Sequence, residues 1–208
     1  MNAGQLALYL VTDSSFLRGR KLSDVVRAAV QGGVTMVQVR EKSACTRDFI
    51  SEVQAVHGIL RDSGVPLIVN DRIDVALAYG AEGVHIGQSD MPYQQARSLM
   101  GPDKIIGLSV ESLEDVKLAN SLDPDYIAVS PVFSTPTKTD TAPAFGLEGL
   151  RQAVRLSVHP CVAIGGINGS NAAEVISCGA DGIAVVSALM AADDPQRAAS
   201  DLLKVCKL

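Results

Sequence analysis

Much of what this chain could be is excluded by what it lacks. Its four cysteines, Cys45, Cys161, Cys178 and Cys206, include no CxxC pair and show no zinc-site spacing. They read as reduced, mostly buried thiols, which points to a cytoplasmic protein. The opening MNAGQLALYLVTD has no basic stretch ahead of a long apolar run, so a signal peptide is not expected. No segment reaches the roughly 18 apolar residues needed to span a bilayer, so no membrane partner is expected either. The net charge is −5 and the basic residues are scattered. Nucleic acid is therefore a poor candidate partner, because phosphate backbones are held by clustered Lys and Arg. A small anion held by a few local cations stays compatible. No Ser-His-Asp or Cys-His arrangement stands out, so a side-chain nucleophile is not expected. His57 and His159 read as structural or exposed, and His85 in GVHIGQ reads as a packed, hydrogen-bonded histidine.

What is present is a regular alternation. In 208 residues, 47% hydrophobic and 20% charged, short apolar β-branched runs take turns with longer amphipathic stretches. The strand candidates are Leu6–Val11, Thr35–Arg40, Pro66–Asn70, Gly83–Ile86, Lys104–Ser109, Asp125–Ser130, Cys161–Gly165 and Gly182–Ser187. Each has the length and two-faced apolarity of a parallel strand covered on both sides. Between them, KLSDVVRAAVQGG places Leu22, Val25, Val26, Ala29 and Val30 on one helical face. TRDFISEVQAVHGILRDSG repeats the pattern, with Thr46 as the expected N-cap, and a last helix runs over about Asp194–Lys207. QGGV, YGAEGV and CGADGI look like matching turns in which glycine ends a helix. Eight strand–helix units in strict alternation predict a single-domain α/β fold over residues 1–208, a (β/α)8 TIM barrel. An open doubly wound sheet is the alternative. Its dinucleotide-binding form loses support because the first βα turn has no GxGxxG.

A barrel keeps its active site at the C-terminal ends of its strands, and here those ends are polar or small. The second strand runs out through Gln38, Arg40, Glu41 and Lys42, the third through Asn70 and Asp71, the fourth into Gln88, Ser89 and Asp90. The fifth ends at Ser109, and the sixth at Ser130 before the long PVFSTPTKTDTAPAFG loop. The last two end at Gly165–Gly166 and Val186–Ser187. Asp71 and Asp90 follow adjacent strands, so they are expected to face each other and suit Mg2+, a hard cation that takes oxygen ligands. The plainer alternative is that each caps the helix that follows. Arg40, Lys42 and Lys138 are the candidate anion binders, Lys138 lying among the hydroxyls of Ser134, Thr135, Thr137 and Thr139. Glycines after strand seven and a small pair after strand eight form the common phosphate site of such barrels.

LYLVTD, VQVREK, IVNDRIDVALAYGAEGVHIGQSDMP, IIGLSV, VSPVFSTPTKTD, VAIGGIN and GIAVVSA occur in this order over nearly the whole chain. Together they resemble the thiamine-phosphate synthase family. The resemblance implies a transferase that joins 4-amino-2-methyl-5-(diphosphooxymethyl)pyrimidine to 4-methyl-5-(2-phosphooxyethyl)thiazole, releasing diphosphate by a dissociative route. By motif, Gln38, Val39, Arg40, Glu41, Lys42 and Asn70 would hold the pyrimidine diphosphate, with Ser109 and Lys138 also touching it. Asp71 and Asp90 would bind Mg2+. Thr135, Pro136, Thr137, Gly166, Val186 and Ser187 would bind the thiazole phosphate. Arg40, Ser109 and Lys138 are the implied catalytic groups. The partners would be two small molecules, with a homo-oligomer compatible. A thiazole tautomerase-like relative and a non-catalytic barrel that binds thiamine phosphate are the rivals. Neither has a use for Asp71, Asp90, Lys42 and Lys138 together.

Overall fold

The eight apolar runs form eight parallel strands, each hydrogen-bonded to the next in sequence and the last to the first. The computed structural model describes residues 3–135 and 143–207. The strands are β1 (Leu8–Val11), β2 (Met36–Val39), β3 (Leu67–Asn70), β4 (Gly83–Ile86), β5 (Ile105–Val110), β6 (Tyr126–Val129), β7 (Cys161–Ile164) and β8 (Gly182–Val185). Leu8 pairs with Ile183 and Leu10 with Val185, and this register closes the barrel. The helices are α1 (Leu22–Gln31), α2 (Thr46–Leu60), α3 (Ile73–Tyr79), α4 (Tyr93–Met100), α5 (Leu113–Ala119), α6 (Gly146–Leu156), α7 (Ala172–Ser177), α8 (Ser187–Met190) and α9 (Pro195–Cys206).

Strand parity divides the apolar residues between two cores. Tyr9, Val11, Met36, Ile68, Tyr126, Ala128, Val162 and Ala184 fill the barrel interior. Their strand neighbours, among them Leu8, Leu10, Val37, Val39, Leu67, Val69, Ile127 and Ile183, pack outward against the helices. Side chains alternate across a strand, so a run that must feed both cores is apolar throughout. That is why the strands read as unbroken runs.

The repeated turn motif has a second purpose at the closed end of the barrel. The residue just before each even-numbered strand supplies an acceptor to the strand before it. Thr35 Oγ1 accepts from Leu8 N (2.9 Å), Glu82 from Leu67 N (2.8 Å), Asp125 from Ile106 N (2.9 Å) and Asp181 from Cys161 N (2.7 Å). Gly33, Gly80 and Gly179 adopt positive φ at the helix ends before these strands, as the turn pattern predicts. Two details differ from expectation. The N-cap of α2 is Cys45, and Thr46 is the first helical residue, its hydroxyl accepting from the Arg72 guanidinium at 3.2 Å. The short helix α8 follows β8 at once, ahead of the anticipated final helix.

Asp125 also pairs with Arg97 at 2.8 Å, both side chains about one quarter exposed. Asp125→Ala should therefore cost about 1–3 kcal/mol in urea denaturation, because it leaves a guanidinium and a strand amide without their acceptor. Lys117→Ala, which breaks an exposed pair with Glu114, should cost under about 0.5 kcal/mol. Equal costs would contradict this account of the turn acids.

Candidate active site

The inward parity of the strands continues past their ends and builds a cavity of about 280 Å³ at the C-terminal mouth. From β2, Gln38, Arg40 and Lys42 line it. Val39 does not, because it has the opposite parity and is fully buried against the helices. Glu41 is turned away as well, its carboxylate accepting from Ser14 N at 2.7 Å. Arg40 is held from both ends. Its amide donates to Thr12 Oγ1 at 3.0 Å, and its guanidinium lies 3.7 Å from Asp13.

Asn70 and Asp71 reach the same mouth from β3. Asp71 has φ +58°, the left-handed region that few non-glycine residues adopt, and its amide donates to His85 O at 2.9 Å. From the β4 end, Asp90 folds back so that its carboxylate accepts from Gly87 N at 2.7 Å. Neither acid caps a helix. The N-caps of α3 and α4 are Arg72 and Pro92, and neither makes a side-chain capping bond. Instead the two carboxyl groups meet. Burial pushes the Asp71 carboxyl up to about 6, a hydrogen bond with Asp90 and repulsion from its charge add to this, and Lys42 and Arg40 pull the other way. Among the described residues no group of three or more His, Cys, Asp or Glu forms a metal cage. A cation here would take two carboxylates and complete its shell from substrate or water.

The opposite side of the mouth is built for close backbone approach. Gly165 and Gly166 have φ +108° and +66°. A Cβ on Gly165 would lie 2.7 Å from Pro131 Cβ, and one on Gly166 would lie 2.9 Å from both Phe133 Cβ and Ser134 O. Asn171 Nδ2 donates to Gly166 O at 3.0 Å and fixes that turn. Thr135, Gly166, Val186 and Ser187 all line the cavity, with Ser187 opening α8. Pro136, Thr137 and Lys138 lie outside the described residues.

Gln88 and Ser130, read from the strand ends, line the mouth as well. Sequence reasoning missed part of the wall, in Tyr9, Val11, Glu111 and Ile167. Strand parity could have found Tyr9 and Val11. His85 is 7% exposed and hydrogen-bonded, as expected, and it also faces the cavity. Its Nε2 lies 2.8 Å from Ser109 Oγ, while Gln88 Nε2 donates to Ser109 O at 2.5 Å.

A closed parallel barrel with its polar cavity at the strand C-termini defines a (β/α)8-barrel enzyme. The model of the thiamine monophosphate synthase family matches residues 8–189, and the chain belongs to that family. The thiamine-phosphate synthase of Albidiferax ferrireducens is 62% identical over 190 residues, 91% of this chain and 87% of that protein. That of Vibrio campbellii is 54% identical over 203 residues, 98% of each. The solved structure of thiamine phosphate pyrophosphorylase from Pyrococcus furiosus is 40% identical and superposes with a TM-score of 0.89, covering 99% of this chain and 97% of its own. Orotidine 5'-phosphate decarboxylase from Pyrococcus horikoshii, 17% identical with a TM-score of 0.70, shares the fold alone.

The contact between the acids has a consequence for stability. With its pKa above the usual carboxylate value in the folded state, Asp71 binds its proton more tightly folded than unfolded. Its ionisation therefore costs stability as pH rises from about 4 to about 6, and the full cost is present above that window. Asn tolerates the left-handed conformation. Asp71→Asn should raise the Tm of the metal-free protein at pH 7.5 by about 2–4 °C, allowing for solvent screening. The gain should shrink towards zero near pH 4. A loss of Tm at pH 7.5 would contradict the geometry.

Proposed function

We propose that this barrel joins 4-amino-2-methyl-5-(diphosphooxymethyl)pyrimidine to 4-methyl-5-(2-phosphooxyethyl)thiazole, giving thiamine phosphate and diphosphate. The observation that carries the reading is the meeting of Asp71 and Asp90 where Lys42 and Arg40 act on the same carboxyl. Anions and cations gathered in this way suit a diphosphate bridged by a divalent ion. Mg2+ is commonly bound by one or two carboxylates plus substrate phosphates and water, so the donor set fits it. When bound, Mg2+ would neutralise charge growing on the leaving diphosphate.

The chain's own groups account for the remaining chemistry. Arg40 offers a planar fork and Lys42 a point charge to the diphosphate oxygens. Asn70, Gln38 and Ser109 line the space for the pyrimidine. The bond between methylene carbon and diphosphate oxygen breaks, and its electron pair leaves with the diphosphate. The 4-amino group feeds electrons into the ring and stabilises the methylene cation. The thiazole nitrogen then donates its lone pair, a C–N bond forms, and the positive charge ends on the thiazolium. No side-chain nucleophile or base is required. Val11, Ala128, Ile164 and Ala184 give the cavity apolar walls, which keep water from capturing the cation. Gly166, Val186, Ser187 and Thr135 receive the thiazole phosphate, so the two anionic groups orient the rings towards each other.

The same reading makes the partners two small anionic molecules. Among the described residues no helix is long and apolar enough to cross a membrane. The four cysteines are all free, which suits a cytoplasmic setting.

Diphosphate release should require both substrates and Mg2+ and should match thiamine phosphate formed. Asp90→Ala should lower kcat by about 100-fold or more at limiting Mg2+. Undiminished turnover in that variant would remove the acid pair from the mechanism. Gly166→Ala should raise KM for the thiazole phosphate by about tenfold or more and leave KM for the pyrimidine diphosphate nearly unchanged. Equal effects on both would refute the assignment of the two halves of the mouth.

A further inference from the structure

At the cavity floor a line of hydrogen bonds crosses the barrel. Gln38 Nε2 donates to Tyr9 Oη at 2.7 Å. Tyr9 Oη lies 2.9 Å from Tyr126 Oη, and Tyr126 Oη lies 3.0 Å from His85 Nδ1. His85 Nε2 completes the line to Ser109 Oγ at 2.8 Å. Both phenols are buried. Tyr9 meets Tyr126 edge-on, with ring centroids 6.0 Å apart at 79°, and His85 stacks on Tyr126 at 5.6 Å and 23°. The fold reserves room for this line. A Cβ on Gly107 would run into the Tyr126 phenol and lie 2.6 Å from His85 Nδ1.

A line of this kind has a direction. Each phenol carries one proton, and burial holds both phenols protonated, their pKa values pushed up from the usual range. Tyr9 already accepts from Gln38, so it gives its own proton to Tyr126. Tyr126 gives its proton to His85 Nδ1. The imidazole then carries its proton on Nε2 and donates to Ser109 Oγ. The Ser109 proton is left to donate into the cavity, and the Gln38 amide presents Oε1 there as an acceptor. Because one amide orientation fixes every bond along the line, neither end can change its role alone.

We infer that Tyr9, Tyr126 and His85 are positioning residues that carry the Gln38 amide orientation across to Ser109, so that Gln38 as acceptor goes with Ser109 as donor, and that the pair selects an aminopyrimidine over its oxo counterpart. The inference rests on the proposed reaction, in which these two residues face the pyrimidine. An aminopyrimidine supplies the complement, since its amino group donates and its bare ring nitrogens accept. A 4-oxo analogue places a carbonyl where the amino group stands and a proton on the adjacent ring nitrogen. A buried polar site left mispaired rejects its ligand strongly.

The test is equilibrium binding of the 4-amino and 4-oxo pyrimidine diphosphates with Mg2+, in the absence of the thiazole, beside inorganic diphosphate. Binding rather than turnover is measured because the amino group also stabilises the cation. The native protein should prefer the amino compound by about 100-fold or more. Tyr126→Phe removes one hydroxyl from the middle of the line and touches neither end. It should narrow that preference by about tenfold or more and leave inorganic diphosphate binding unchanged. Tyr9→Phe cuts the same line next to Gln38 and should narrow the preference as well. A preference unchanged in both variants, or equal weakening of both pyrimidines, would overturn the inference. Native protein that binds both pyrimidines alike overturns it with the proposed reaction intact. Native protein that binds inorganic diphosphate but neither pyrimidine overturns the proposed reaction itself.

Discussion

Two carboxyl groups pressed together at the mouth of a barrel form the constraint on which the rest of this site depends. Left alone, Asp71 and Asp90 repel, and Asp71 keeps its proton up to about pH 6. The chain accepts that cost through backbone geometry. Asp71 is kept in the left-handed region by the hydrogen bond its backbone N–H donates to His85 O in β4, and Asp90 is folded back onto the Gly87 amide. In the proposed reaction, an arrangement that is unfavourable in the empty protein would become favourable once a divalent cation and an anionic substrate share it. Stability is given up at the site where chemistry needs it.

The barrel supplies what those acids lack. β2 delivers Arg40 and Lys42 to the same mouth. The turns after β7 and β8 place small residues opposite, where backbone can approach a phosphate. Adjacency of β3 and β4 brings the acids together, while the distance around the sheet to β7 and β8 separates them from the glycine-lined side of the mouth. Under the proposed function, the topology would thereby orient two substrates before any bond is made. The turn acids Glu82, Asp125 and Asp181 secure the far end of the sheet, leaving the strand ends at the mouth free for polar side chains.

Much of this was legible in the amino acids, for physical reasons. Strand runs that feed two cores are apolar throughout, so all eight were visible, with errors of a residue or two at their ends. Polar residues collecting at strand ends marked Gln38, Arg40, Asn70, Asp71, Asp90 and Ser109, and these do converge on one cavity. Motif continuity carried Val39 and Glu41 along with their neighbours, but alternation sends Val39 outward and a bond to Ser14 draws Glu41 aside. The line from Tyr9 through Tyr126 to His85 was not legible. Its members lie on β1, β6 and β4 and meet only across a closed interior. Nothing in the local spacing of tyrosine or histidine reports a contact of that kind.

The most direct measurement is the binding of Mn2+, a spectroscopic stand-in for Mg2+, followed by electron paramagnetic resonance with and without inorganic diphosphate. The account predicts a single site per chain that tightens when diphosphate is added and is lost in the Asp71→Asn, Asp90→Asn double variant. A site that persists in that folded variant, or one indifferent to diphosphate, would contradict it.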